Sequence, residues 1–363
     1  MMVVPQISTL SVHHFRNLIQ VDLTAAPINI ISGDNGSGKS SLLEAMYYLA
    51  HSKSFRTSKP QRLIHHEEPC FSVFSTIETD TGTATLGVER TQSNQQKIKF
   101  NQAAETSSFV ARHLPMQFID SNCYQYFTEG PTLRRQFLNW GLFHMKHSFY
   151  SLWKNYNNVL KQRNAALRSK SQRAMIDSWD SQLIPLCEEI HSMRLEYVTR
   201  LSPIVKEILN SLLSTSYSQL ELRYQPGWNA DKPLSLTLQE KIYRDFELGY
   251  TQAGAHRADL QLFFMNKGAH EFLSQGQMKL AAYALKIAQC IIQKQDMGRS
   301  TIFLVDDLQA ELDSKKQRKI LTLFSELDNQ CFYTALDQTS ILGMLKGQNE
   351  IKTFPLVSGC IIE

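Results

Sequence analysis

Cysteine is sparse and unordered in this chain. Its six cysteines (Cys70, Cys123, Cys187, Cys290, Cys331 and Cys360) are scattered, with no C-x-x-C pair and no regular spacing. That pattern excludes a disulfide frame and a four-ligand zinc site, and it suits reduced thiols in a cytosolic protein. No uncharged apolar run approaches the ~18 residues of a membrane span. The N-terminal MMVVPQISTL has no basic region followed by an apolar core, so no signal peptide is expected. The expected location is cytoplasmic, with no membrane partner. Strong charge is also missing: 38 Lys and Arg against 34 Asp and Glu leave a formal net charge of +4. That balance permits a nucleic-acid partner without requiring one. Internal repeats and low-complexity tracts are absent, which excludes solenoid arrays and long linkers. What remains is ordinary: 42% hydrophobic and 20% charged residues over 363 positions, enough for a full core and for two lobes.

One stretch organises the rest. An apolar run at Ile28, Ile30 and Ile31 ends at Gly33, and a helical pattern begins at Ser40. Between them, Gly33-Asp34-Asn35-Gly36-Ser37-Gly38-Lys39-Ser40 fits G-x-x-x-x-G-K-[ST], the phosphate-cradling P-loop. The glycines let successive N–H groups point at one anion, and the following helix adds the positive end of its dipole. Lys39 supplies a charge for the β- and γ-phosphates, and the Ser40 hydroxyl is a candidate Mg²⁺ ligand. A nucleoside triphosphate with Mg²⁺ is the expected cofactor.

Residues 7–23 alternate as one or two strands broken at Phe15-Arg16-Asn17. In the P-loop helix, Leu42/Leu43, Met46 and Leu49/Ala50 form one stripe for packing on a sheet. The loop 51–62 carries Lys53, Arg56, Lys59 and Arg62, which make either a solvated loop or a basic patch for DNA phosphates. Residues 70–101 read as a small antiparallel meander, and Met116–Ile119 as another strand. From about Arg134 to Leu213 the pattern is helical. Phe149, Trp153, Tyr156, Leu160 and Leu167 follow three- and four-residue steps, with a polar step at Arg163. A second segment does the same from Trp179 to Ile208 through Leu183, Leu186, Ile190, Met193, Tyr197, Leu201 and Ile204. Residues 168–177 form a basic polar link, so an antiparallel helical hairpin is expected, with Pro185 and Pro203 kinking the return helix or marking helix starts. A turn at 225–228, a helix at about 236–248 and sheet-like sequence at 260–264 follow.

Near the C-terminus, 301–305 (TIFLV) is a buried strand ending in Asp306-Asp307. There Asp306 is the expected Mg²⁺ ligand and Asp307 the residue orienting the attacking water. Lys39 and Asp306 stand near opposite ends of the chain, so a whole lobe is inserted within the nucleotide-binding head. One helix upstream, Ser274-Gln275-Gly276-Gln277 opens a helix with an S-x-x-Q capping box, a second anion site. Its placement before Asp306 is that of ABC-type ATPases, where the capped serine faces a γ-phosphate held by a partner subunit. Ala310–Asp313 fits the D-loop that crosses the same interface. The expected fold is α/β, an ABC-type ATPase head of mixed sheet, helices and antiparallel meander with an inserted helical lobe. The head occupies 1–130 and 250–363, and the lobe 131–249.

The combined motifs resemble the RecF family of bacterial recombinational-repair ATPases, which is related to SMC proteins. The matching pieces are Phe15-Arg16-Asn17, residues 33–56, Gly130-Pro131 with Arg134-Arg135 and Phe137-Leu138, residues 160–167, His256-Arg257, 273–277 and 305–313. The ABC-type motifs and this resemblance make the nucleotide ATP. The resemblance implies ATP-dependent homodimerisation, binding to single-stranded or gapped DNA, slow ATP hydrolysis, and recombinase loading with RecO and RecR. It also implies a part in replication-fork maintenance and SOS induction. Gln117 lies near the position of a Q-loop that senses Mg²⁺, and Thr334 stands where transporters carry a switch histidine. Departures from the family pattern are Ser121-Asn122 in place of Pro-Glu, Asn139 in place of Asp, and Ala255 in place of Pro. By charge and neighbourhood, Lys53, Arg56, Lys59, Arg134, Arg135, Arg168, Lys170 and Arg173 are the candidate DNA contacts. An alternative is the motor subunit of a membrane transporter, which would lack the long hairpin and carry the switch histidine. A purely structural SMC-like tether would need a far longer helical arm.

Overall fold

The computed structural model describes residues 6–79, 82–213, 220–309, 312–345 and 350–362. The first segment runs β1 (Gln6–Phe15), β2 (Leu18–Thr24), β3 (Ile28–Ser32), α1 (Lys39–His51), β4 (Cys70–Thr79), β5 (Gly82–Thr91), β6 (Gln96–Phe100), β7 (Ala103–Ala104), α2 (Ser107–His113) and β8 (Met116–Ile119). The middle contains α3 (Gln125–Thr128), α4 (Thr132–Met145), α5 (Phe149–Arg168), α6 (Arg173–Leu212), β9 (Leu220–Gln225), α7 (Leu234–Leu248), β10 (Asp259–Phe264), β11 (Lys267–Gly268), α8 (Ala269–Phe272) and α9 (Gln275–Met297). The last segment holds β12 (Ile302–Val305), α10 (Ser314–Glu326), β13 (Cys331–Ala335), α11 (Gln338–Met344), β14 (Ile351–Val357) and β15 (Cys360–Ile361).

The chain divides into two compact units, one formed by residues up to Cys123 and from Gln293 onward, the other by Tyr124–Ile292. This differs from the expected boundaries at 130 and 250. The reason is pairing: β10 lies between β9 and β11, so residues after the hairpin complete the sheet of the inserted unit.

The first unit has two sheets. One is antiparallel, in the order β2-β1-β4-β5-β6-β7; the other runs β15-β14-β3-β13-β12-β8 and is parallel from β14 to β8. Strands β3, β12 and β13 are buried along their whole lengths, as parallel strands covered on both faces must be. Helix α1 packs against both sheets. Leu42, Leu43, Met46 and Leu49 share one core with Val12, Phe15, Phe71 and Val73 of the antiparallel sheet, and with Ile31, Leu304 and Phe332 of the parallel one. The expected single stripe is therefore an all-round burial that takes in Ser41, Glu44, Ala45 and Tyr48 as well. Residues 331–333 belong to β13, and the later strand β14 extends the parallel sheet beyond β3.

In the second unit α5 and α6 form the expected hairpin. Arg163 pairs with Asp180 and Trp153 lies under Arg194, so positions advance on one helix as they recede on the other, the mark of antiparallel packing. The link is shorter than the basic stretch 168–177 suggested, because α6 begins at Arg173. It then runs unbroken through Pro185 and Pro203. Its buried seam contains Leu183, Cys187, Ile190, Arg194, Tyr197 and Leu201. Cys187 and Arg194 occupy the places where Leu186 and Met193 were expected. The polar step at Arg163 is fully buried and bonds Asp180, Asp245 at 2.7 Å and Thr251 at 2.9 Å.

Candidate nucleotide site

The loop after β3 is shaped by backbone that only glycine tolerates. Gly33 has φ +149°, and a Cβ there would stand 2.2 Å from the Leu356 carbonyl oxygen. Gly38, at φ +115°, is the N-cap of α1 and accepts the Leu42 N–H at 2.9 Å. The turn between β1 and β2 braces the loop from outside. Asn17 Nδ2 donates to the Gly36 carbonyl at 3.1 Å, and the Ser41 hydroxyl donates to Asn17 Oδ1 at 2.8 Å. Lys39 Nζ donates to the carbonyls of Gly33 (2.6 Å) and Asp34 (2.9 Å). Burial lowers the pKa of this ammonium, while Asp306, Asp307 and Asp34 oppose the shift.

A cleft of about 650 Å³ opens here, lined by Asn35, Gly36, Gly38, Lys39 and Ser40 on one side and by Asp306, Asp307 and Thr334 on another. The acids arrive on the end of β12, with the Asp306 N–H bonded to the Ile119 carbonyl at 2.8 Å. Asp307 adopts φ +53°. Thr334, at the buried end of β13, donates its hydroxyl to Asp306 Oδ1 at 2.6 Å and accepts the Asp307 N–H at 2.8 Å.

The residues fit a magnesium-bound triphosphate. Ser37 Oγ is buried without a partner inside the loop, and a Cβ at Gly36 would meet nothing, so the cradle is open. The facing donors, the Ser40 hydroxyl and the Asp306 carboxylate, are hard oxygens. Among the described residues no group of three or more His, Cys, Asp or Glu side chains could hold a metal ion alone.

Several expected residues stand elsewhere. Gln117 is buried within β8, paired with Phe303, and does not line the cleft. Ser121, two residues beyond the strand, lines it instead, so a metal-sensing role for Gln117 has no support in this geometry. Arg134 is buried and bonded to both oxygens of Asp259 (2.7 and 3.1 Å) and to the carbonyls of Tyr126 and Glu129. It is a structural residue and is unavailable to DNA. Arg135 is half-buried and donates to the Ala258 carbonyl and Thr132 Oγ1, each at 3.1 Å. Arg173 is exposed but paired with Asp177. Lys53, Lys59, Arg168 and Lys170 are exposed. Arg56 lines the cleft, 3.7 Å from Glu44.

Sequence reasoning missed the hub that anchors this basic loop. Glu44 is fully buried on α1, bonded by Arg16 and by the Ser54 hydroxyl. An acid at the centre of an apolar helix was its only signal.

In the second unit, Ser274 and Gln277 form the expected capping box. The Ser274 N–H donates to Gln277 Oε1 at 2.9 Å and the Gln277 N–H to Ser274 Oγ at 3.3 Å. Ser274 and Gln275 are exposed, and the first turn of α9 contains no acid. Of the expected D-loop, Ala310 and Glu311 lie outside the described residues. Asp313 caps α10 through the Lys316 N–H at 2.9 Å.

A P-loop on one buried parallel strand, acids on the next strand but one, an antiparallel sheet beside them and an inserted helical unit define an ABC-type ATPase head. The family model for the RecF/RecN/SMC N-terminal domain matches residues 6–355, and the chain belongs to this ATPase family. It is 39% identical to the DNA replication and repair protein RecF of Coxiella burnetii over 93% of this chain and 94% of that one. It is 38% identical to the protein of the same name from Cellvibrio japonicus, over 93% of each. Among solved structures, the recombination mediator protein RecF with ATP superposes with a TM-score of 0.88 at 23% identity, covering 100% of this chain and 98% of that one. The Pyrococcus furiosus Smc head domain gives 0.59 at 16% identity, over 98% and 95%.

Proposed function

We propose that this protein is an ATP-switched DNA-repair ATPase that works as a dimer of heads. The carrying observation is the shared cleft: Lys39 lies within the electrostatic reach of both Asp306 and Asp307, with Ser40 beside them. In this reading the loop N–H groups and Lys39 bind the β- and γ-phosphates. Mg²⁺, held by Ser40 and Asp306, would neutralise phosphate charge, and Asp307 would orient the attacking water. The open, acid-free start of α9 at Ser274–Gln277 would complete the site of a second copy, so that ATP joins two heads and hydrolysis releases them.

The same reading has single-stranded or gapped DNA held on exposed basic residues and recombinase loaded together with RecO and RecR. It also has slow, DNA-dependent turnover in the cytoplasm. Support comes from the relatives named for replication and repair and from the RecFOR pathway named for the solved neighbour. No helix among the described residues is long and apolar enough to cross a membrane, and the transporter alternative is not favoured by the matching family.

Sedimentation of the purified protein with ATP, ADP or no nucleotide, with and without gapped DNA, tests this. A dimer that forms only with ATP and is lost in Lys39→Arg and Ser274→Arg is expected. A monomer in ATP for the hydrolysis-blocked Asp307→Asn would overturn it.

A further inference from the structure

We infer that Thr334 is a positioning residue that sets the two acids of the cleft for metal binding and water activation; this rests on the ATPase reading above. Its side chain is 1% exposed and sits on β13, the strand between the P-loop strand and the acid-bearing strand. In register it pairs with Ile31, two residues before Gly33, while its neighbour Tyr333 pairs with Val305, the residue before Asp306. One side chain thus touches the acid pair from a strand that is itself hydrogen-bonded to the phosphate loop's strand.

The hydroxyl has a single proton. The 2.6 Å contact commits it to Asp306 Oδ1, and the remaining lone pairs accept the Asp307 N–H at 2.8 Å. Two consequences follow. Among the described residues Asp306 keeps Oδ2 as its unclaimed oxygen, so one edge of its carboxylate is anchored and the other is left for a cation. Asp307 is held in left-handed backbone at φ +53°, a conformation unfavourable for a residue with a Cβ, and the bond to Thr334 is the contact that retains it there. With its proton engaged, Thr334 has none to offer a γ-phosphate. Its part is to orient Asp306 and Asp307, as outer partners of metal ligands do.

Three forms of the full chain decide the matter: wild type, Thr334→Val, which keeps the shape and removes the hydroxyl, and Thr334→Ser, which keeps the hydroxyl. The measurements are ATP binding in EDTA, the Mg²⁺ concentration for half-maximal ATPase activity, kcat and KM at saturating Mg²⁺, and melting without nucleotide. Thr334→Val is expected to bind ATP in EDTA as wild type does. Its Mg²⁺ requirement should rise, and its kcat fall, by about tenfold or more, the usual cost of losing an outer-shell partner. KM should stay within about threefold, and Thr334→Ser should restore both properties.

A Thr334→Val protein with wild-type Mg²⁺ dependence and kcat overturns the inference, as does a Thr334→Ser protein equally impaired, since shape alone would then matter. A wild type that neither binds nor hydrolyses ATP overturns the reading beneath it, and this inference with it.

Discussion

His256 is held neutral by its surroundings. Its Nε2–H donates to the Thr251 carbonyl at 3.0 Å, and Nδ1 accepts the Tyr156 hydroxyl at 2.7 Å. Burial first, then Arg257, Arg135 and Arg163, lower its pKa from 6.5 to about 4, against the opposing bond to Thr251. Between those values the unfolded chain takes up a proton that the folded chain refuses. Stability of this unit is therefore complete above about pH 6.5 and declines as pH falls toward 4, by about 3 kcal/mol in all. Urea melts across that range should show the slope, and His256→Gln should flatten it.

The same neighbourhood explains two departures from the family pattern. Arg194 is fully buried over the Trp153 ring, with Asn139 Oδ1 (2.8 Å) and the Ala255 carbonyl (2.7 Å) as its acceptors; its Nε has no partner. Ala255 contributes only backbone, so replacing its side chain leaves this bond in place. Asn139 brings an amide where the family pattern has a carboxylate, so the guanidinium is buried with no counter-charge bonded to it among the described residues. Asn139→Asp should stabilise the protein by about 1–3 kcal/mol at pH 7. Arg194 would depress the new carboxylate's pKa, so the gain should be full above about pH 4, shrink as pH falls below that value and be lost only once pH passes the lowered one; urea melts at pH 7 and pH 3 should show a smaller difference at pH 3.

Among the elements, α6 runs as one helix through Pro185 and Pro203, each lacking the N–H that would bond four residues back. Both prolines are exposed, so alanine adds a hydrogen bond at each position without changing the packed seam. Pro185→Ala and Pro203→Ala should each raise stability by about 1–3 kcal/mol in equilibrium unfolding. This helix also shows where sequence patterns mislead. The buried seam lies one residue beyond the apolar steps through Leu186 and Met193, at Cys187 and Arg194, where the Ala255 carbonyl and Asn139 Oδ1 on neighbouring elements accept two of the Arg194 N–H bonds. Strand β9 does alternate, as Leu220, Leu222 and Tyr224 between Glu221, Arg223 and Gln225, but it is a single short run before the turn at 225–228 and does not stand out; β14 (Ile351–Val357) contains Pro355, which argues against an interior strand. The P-loop, the Asp306-Asp307 pair and the Ser274 capping box were legible because their chemistry requires fixed residues at fixed spacing. Thr334 was marked only by its place where transporters carry a switch histidine; its bonds to Asp306 and Asp307 had no fixed spacing to announce them.

For the molecule as a whole, burial separates the basic residues open to the proposed DNA partner from those closed to it. Arg134 is committed to Asp259, whereas Lys53 and Lys59 lie exposed on the loop after α1 and have no acidic partner among the described residues. Each lysine that neutralises a phosphate releases a condensed counterion, so the logarithm of affinity falls with the logarithm of salt by about 0.9 per contact on duplex and about 0.7 on single strands. Lys53→Gln and Lys59→Gln together should lower that slope by between about one and two, while ATP binding and melting temperature stay as they were. Arg134→Gln should act differently. It strips the partner from a buried carboxylate, and its cost of about 3–5 kcal/mol should appear as unfolding at every salt concentration. Fluorescence anisotropy of labelled gapped DNA between low and physiological salt, with each variant's melt measured alongside, separates the two. An unchanged slope in the double lysine variant would remove this loop from the DNA-binding surface.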